Sequence, residues 1–228
     1  MSMTGSKLLS LTLFFLSVSS GSPDNTVFSQ QKQRPLKKVA LTFDACPAPT
    51  VGGYDSSITR ILVKENIPAT LFLSGRWVRN HPRQTFFLAS FSQFEIANHS
   101  YSHPHMRDVN DSLITVEFRK TQDLIWKIAK RKPALFRPPY GEYDERIEKL
   151  AGKSGLKLVE YDLASGDPDT TISTKRLVRY VISKTRDGSI VVMHINGRGR
   201  HTAEALPEII SGLKAKGFEF VKVSDLNR

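Results

Sequence analysis

The sequence predicts an α/β fold, a closed or nearly closed barrel of about seven parallel strands alternating with helices. Three observations carry that expectation. From residue 38 onward, short apolar runs alternate with longer stretches of helical spacing, the pattern of βα units around a parallel sheet. No glycine-rich dinucleotide turn follows the first strand, which favours a closed or nearly closed barrel over an open nucleotide-binding sheet. Titratable side chains follow several of the strands directly, and in a parallel barrel those strand ends share the face on which active sites are built.

The elements follow in order. Residues 39–43 form the first apolar run, and a Pro- and Gly-rich loop, 46–53, comes after it. Residues 56–65 have Ile58, Ile61 and Leu62 at helical spacing. Strands are expected at 69–73 and 94–97, separated by a helix over 77–90 that Pro82 interrupts. The clearest helix is 112–131, with Ile114, Phe118, Thr121, Ile125 and Ile128 on one stripe and Asn110, Asp111 or Ser112 as its cap. A brief strand at 135–136 ends in Arg137-Pro138-Pro139. A helix over 144–154 stops at Gly155, and strand 156–161 follows. Helix 174–185, strand 190–193, helix 202–216 with Gly217 at its C-terminal cap, and strand 218–223 complete the chain.

Residues 1–20 stand apart. Lys7 is their only charge, an apolar stretch covers 8–18, and Ser19, Ser20 and Gly21 follow. This is the pattern of a secretory signal peptide, with an uncleaved anchor as its alternative. Residues 21–37 are polar and read as a flexible lead-in to the single domain at 38–228. The expected location is therefore outside the cytoplasm, secreted or in the cell envelope. A lone cysteine, Cys46, excludes an internal disulfide. The net charge of +11 suits a polyanionic surface such as a cell wall. Nucleic acid is not the expected partner, because no nucleic-acid-binding motif is present.

The polar residues at the strand ends suggest a chemistry. Asp44 follows the first strand, His99 and His103 the third, Arg137 the fourth, Asp167 the fifth and His194 the sixth. Two neutral imidazoles four residues apart can hold a divalent metal, Zn²⁺ first, with Co²⁺, Mn²⁺ or Ni²⁺ as alternatives. Such an ion acidifies a water and polarises a carbonyl. Asp44 can take a proton from that water, and Arg137 can orient it and hold it ionised. His194 can protonate a leaving group, with Asp167 supporting its protonated form. The reaction class is hydrolysis of an amide or ester.

Thr42-Phe43-Asp44, His99-Ser100-x-x-His103, Arg137-Pro138-Pro139-Tyr140-Gly141 and Val191-Val192-Met193-His194 resemble the motifs of polysaccharide deacetylases with a NodB-like domain, carbohydrate esterase family 4. The resemblance covers roughly residues 38–226. It implies a distorted (β/α) barrel and a metal-dependent enzyme that removes N-acetyl groups from a GlcNAc-containing polymer such as peptidoglycan or a chitin-like oligosaccharide. It assigns Asp44 as general base, His194 as general acid, Asp167 as the carboxylate behind that acid, Arg137 as the partner of the base, His99 and His103 as metal ligands, and the backbone N–H of Tyr140 to the oxyanion. Pro138 and Arg198 are expected to face the substrate, Arg198 as part of a cationic rim over 196–201.

The chain departs from the family at two places. Pro168 stands where a Trp is expected, and Asp44-Ala45-Cys46 stands where the family has two aspartates, the second of them a metal ligand. Asp55, the Cys46 thiolate or a water can fill that position. Three other outcomes stay open: a glycan-binding protein that has lost its chemistry, an O-acetyl esterase on the same scaffold, and a thiol enzyme using Cys46 with a histidine.

Overall fold

The structure is a computed structural model, and it describes residues 36–47 and 53–226. The expected signal segment and all but the end of the lead-in lie outside the described residues. Eight strands form one parallel sheet: β1 (Lys37–Ala45), β2 (Ala69–Leu73), β3 (Phe94–Asn98), β4 (Leu135–Phe136), β5 (Lys157–Leu158), β6 (Leu163–Ala164), β7 (Ser189–His194) and β8 (Phe218–Phe220). Seven of them follow the order β5-β4-β3-β2-β1-β7-β6, and β8 pairs with β1. Val39 is matched to Ser189 on one edge of β1, so its pairing with Phe220 places β8 on the other edge. Further along that second edge, β2 takes over from Leu41 onward.

The strand expected at 156–161 is interrupted. Its start, β5, pairs with β4 at one end of the sheet, and the chain resumes as β6 beside β7 at the other end. Four residues, 159–162, make that crossing, and they reach at most about 18 Å. The two ends of the sheet therefore lie close together, which curls it into a distorted barrel.

Seven α-helices accompany the sheet: α1 (Ser56–Lys64), α2 (Gly75–Asn80), α3 (Pro82–Ala89), α4 (Asp111–Ala129), α5 (Glu145–Lys153), α6 (Thr174–Lys184) and α7 (Thr202–Ala215). The helix expected over 77–90 is two helices, broken at His81 because Pro82 at the next position lacks an N–H. Asn110, Asp144 and Ser173 cap α4, α5 and α6 with side-chain oxygens on backbone amides, each contributing about 1 kcal/mol.

Strand alternation sorts the core into two layers. Val39, Leu41, Phe43, Leu71, Leu73, Val191 and Met193 point outward and pack with Ile58 and Leu62 of α1 and Leu206, Ile209 and Leu213 of α7. Each such side chain contributes about 1.5–3 kcal/mol by burial. Ala40, Phe72, Ala97 and Ile190 point inward. By the same alternation Asp44, His99 and His194 fall on the inner face at the C-terminal end of their strands, with Asp44 and His194 in register.

Candidate active site

The cleft at that end is lined by Asp44, Cys46, His99, His103, Pro138, Tyr140, Tyr161, Asp167, His194 and Arg198, among others. It brings together all the expected site residues except Asp55, with Arg137 buried immediately beneath.

Asp44 is 5 % exposed and sits between two groups. Arg137 Nη1 donates to its Oδ1 at 2.7 Å, and His99 Nε2 lies 3.7 Å from its Oδ2. Burial alone would raise the Asp44 carboxyl. The Arg137 guanidinium, with His99 and His194 behind it, outweighs that and holds the carboxyl below its ordinary range. Arg137 Nη1 also donates to Thr42 Oγ1 (2.8 Å), and its guanidinium lies 3.9 Å from the centre of the Phe72 ring. Its Nε and Nη2 are buried without a partner among the described residues. The cation is thus committed to a single carboxylate.

Beside Asp44, in register on β7, stands His194. Its Nδ1 donates to Asp167 Oδ1 at 2.9 Å, and its backbone N–H donates to Asp167 Oδ2 at 2.7 Å. Ser165 Oγ and Thr202 Oγ1 also donate to Asp167, at 3.1 and 2.7 Å. Asp167 is therefore fixed from several directions, and it fixes in turn which His194 nitrogen faces the cleft. Burial works against the His194 imidazolium. The bonds to Asp167 and to the Cys46 sulphur, with the charges of Asp167 and Asp44, overcome it and raise the group to about 10.

Among the described residues, one group of three is placed to hold a metal ion: Cys46, His99 and His103, whose ligand atoms all lie within 4.8 Å of one another. His99 Nδ1 is bonded to the carbonyl of Arg137 at 2.8 Å, so the ring turns Nε2 toward the group, 3.7 Å from Cys46 Sγ. The rings of His99 and His103 meet edge to face, and Tyr140 packs edge-on against His103. Burial would keep Cys46 a thiol. Hydrogen bonds from His103, His194 and His99 reverse that and bring it down to about 4. One anionic sulphur and two imidazoles form a donor set that suits Zn²⁺.

Asp55 is placed elsewhere. Its Oδ1 accepts from the N–H of Ser57 at 2.9 Å as the N-cap of α1, and its own N–H is bonded to Ile195 O. The carboxylate serves the start of the helix, and the residue grouped with His99 and His103 is Cys46. The backbone around Cys46 is held tightly: Ser74 Oγ donates to the carbonyl of Ala45 at 2.7 Å and Asn196 Nδ2 to that of Cys46 at 2.6 Å. Ser165 and Thr202 were not singled out as site residues from sequence, because isolated small polar residues give no periodic signal; Thr42 and Asn196 stood only as neighbours within the motifs. Tyr140 has a left-handed backbone (φ 59°) and stacks its ring on His105 at 4.1 Å.

Comparison with known proteins gives a consistent result. The polysaccharide deacetylase family model matches residues 31–159. A bifunctional xylanase/deacetylase of Pseudobutyrivibrio xylanivorans is 32 % identical over 95 % of the chain, which spans about a third (34 %) of that relative's length. A peptidoglycan-N-acetylglucosamine deacetylase of Bacillus cereus is 30 % identical, over 83 % of this chain and 68 % of its own. Among solved structures, a CE4 family pseudoenzyme from Bacillus anthracis superposes with a TM-score of 0.76 at 29 % identity, over 84 % of this chain and 66 % of that one. A mutant of that pseudoenzyme with restored activity superposes equally well.

Proposed function

The chain belongs to the polysaccharide deacetylase family, and on that premise we propose that it is a metal-dependent hydrolase removing N-acetyl groups from a GlcNAc-containing polymer, peptidoglycan or a chitin-like glycan, outside the cytoplasm. The observation that carries the reading is the division of labour across the cleft. A carboxylate paired to a buried arginine stands next to a histidine backed by a buried aspartate, and a thiolate with two imidazoles lies beside them. The peptidoglycan and xylan relatives support an acetylated polysaccharide as the substrate class.

Cys46, His99 and His103 would hold the ion. A divalent metal bound there polarises the acetyl carbonyl and acidifies a water. Asp44 Oδ2 is the carboxylate oxygen not bonded to Arg137, and it takes the proton as the water oxygen adds to the carbonyl carbon. His194 delivers a proton to the departing nitrogen as the C–N bond breaks, leaving acetate and a free amine. Asp167 keeps His194 protonated until that step. Pro138, Tyr140 and Arg198 line the approach of the sugar, and the Tyr140 amide is the oxyanion donor in this reading. The apolar segment 8–18 and the basic net charge fit export toward an anionic wall.

A second reading, a glycan-binding protein without turnover, is favoured by Ala45, which removes the family's usual carboxylate, and by the similarity to a pseudoenzyme. One assay decides between them. Acetate release is measured from chitooligosaccharides and peptidoglycan, with and without chelator, beside His99→Ala. Metal-dependent release that the variant abolishes supports the enzyme. Glycan binding without acetate, even with added Zn²⁺ or Co²⁺, establishes the silent protein instead.

A further inference from the structure

We propose that Glu117, on α4 and away from the cleft, is a positioning residue that sets the spacing of His99 and His103; the proposal rests on the metal reading above. The segment between the two histidines is folded in an unfavourable way. Ser100 (φ 58°) and His103 (φ 62°) are both left-handed, at a cost of about 1–2 kcal/mol each. Such a backbone persists only where its surroundings hold it.

The surroundings here are specific. The carbonyls of Ser100 and Tyr101 accept from the first two amides of α2, Gly75 and Arg76, each at 2.9 Å. Ser100 N–H donates to Asn98 Oδ1 at 2.8 Å, and His103 N–H donates to Ser100 Oγ at 3.1 Å. The remaining donors go to Glu117. Its Oε2 accepts from the N–H groups of Tyr101 (2.8 Å) and Ser102 (2.7 Å), and its Oε1 accepts from Ser102 Oγ (2.8 Å). Glu117 is 5 % exposed, and these three bonds occupy both oxygens.

His99 has a backbone anchor in the Arg137 carbonyl, whereas His103 is placed by the loop, by the rings beside it and by its bond to Cys46. Deleting the carboxylate would leave two part-buried N–H groups without their partner, at up to about 1–3 kcal/mol each. The loop then relaxes toward right-handed backbone, and His103 leaves the reach of Cys46 and His99. Loss of an outer partner of this kind lowers metal affinity about 10–100-fold.

The test uses the full chain and Co²⁺ as the probe, read by its visible absorption and by competition with a chelator. Glu117→Ala is expected to keep its metal-free far-UV circular dichroism, to bind Co²⁺ at least tenfold more weakly than wild type and to show an altered Co²⁺ spectrum. Glu117→Gln is expected to match wild type in both readouts, because its amide oxygen can accept both N–H groups while its NH₂ donates to Ser102 Oγ. Should the alanine variant not fold, Glu117→Asp, whose carboxylate stops one methylene short, is expected to show the same weakening to a smaller degree. A folded alanine or aspartate variant that melts early yet binds Co²⁺ with wild-type affinity and spectrum overturns the positioning role and leaves a stabilising one. Wild-type protein that binds neither Co²⁺ nor Zn²⁺ overturns the metal reading itself, and the role of Glu117 with it.

Discussion

Replacing Cys46 by Ser tests the departure of this chain from its family most directly. The substitution changes one atom in a buried position and leaves the backbone bonds from Ser74 and Asn196 untouched. The three histidines that bring the thiol down to about 4 make it an anion at neutral pH. A serine hydroxyl stays protonated there, so the triad of Cys46, His99 and His103 loses its only negative donor. Structural four-ligand Zn²⁺ sites are worth about 10–16 kcal/mol, so a single ligand accounts for about 3 kcal/mol, a little over a hundredfold in affinity. Zn²⁺ competition against a chromophoric chelator should show that loss, and the sulphur-to-Co²⁺ charge-transfer absorption should vanish with it. A serine variant that binds Zn²⁺ as tightly as wild type would refute the assignment of Cys46 as a ligand and return the third position to a water.

Four further outcomes are expected. Asp44→Asn should lower kcat by about 10²–10⁴-fold and destabilise the fold by about 3 kcal/mol in chemical denaturation, because Arg137 keeps a hydrogen bond but loses its counter-charge. Asp167→Asn should move the alkaline limb of the pH–rate profile to lower pH, since Asp167 is a main cause of the upward shift of His194 toward about 10. The sign for stability is the same: the His194 contribution is complete below about 6.5, its unfolded value, and is lost as pH rises toward about 10. Gly199→Ala would set a methyl group against Asp167 Oδ2 and Thr202 Oγ1, so kcat should fall with metal content unchanged in elemental analysis. Gly75→Ala would press on Tyr101 and Thr121 Oγ1, so thermal stability and Co²⁺ affinity should fall together.

Most of the barrel and the outline of the site were legible in the chain. Asp44, His99, Arg137 and His194 each follow an apolar run, and parallel strands bring such residues to one end by geometry alone. What stayed hidden has physical reasons. The two residues of β6 contain no apolar run long enough to mark a strand, and pairing with β7 alone defines them. Asp55 fits both an N-cap and a ligand by sequence, and only the bond to Ser57 separates the two. Cys46 has the composition of an ordinary core residue, and its charge state comes from histidines 53 or more positions away. Glu117 left a weak signal that went unused. It lies one turn before Thr121 on the buried stripe of α4, where a carboxylate needs a reason.

The pairing of β1 also bears on how the protein comes into being. The strand is made before its partners: one of its edges waits for β7 and the start of the other for β8, about 150 and 180 residues later on the ribosome. Until those segments emerge, an apolar strand has open backbone groups, and the partners expected of Asp44 are incomplete: Arg137 can already reach it, but His194 cannot. Contacts so distant along the chain make for slow closure. Until β8 has been synthesised, the open apolar edge of β1 is a surface on which another chain could pair.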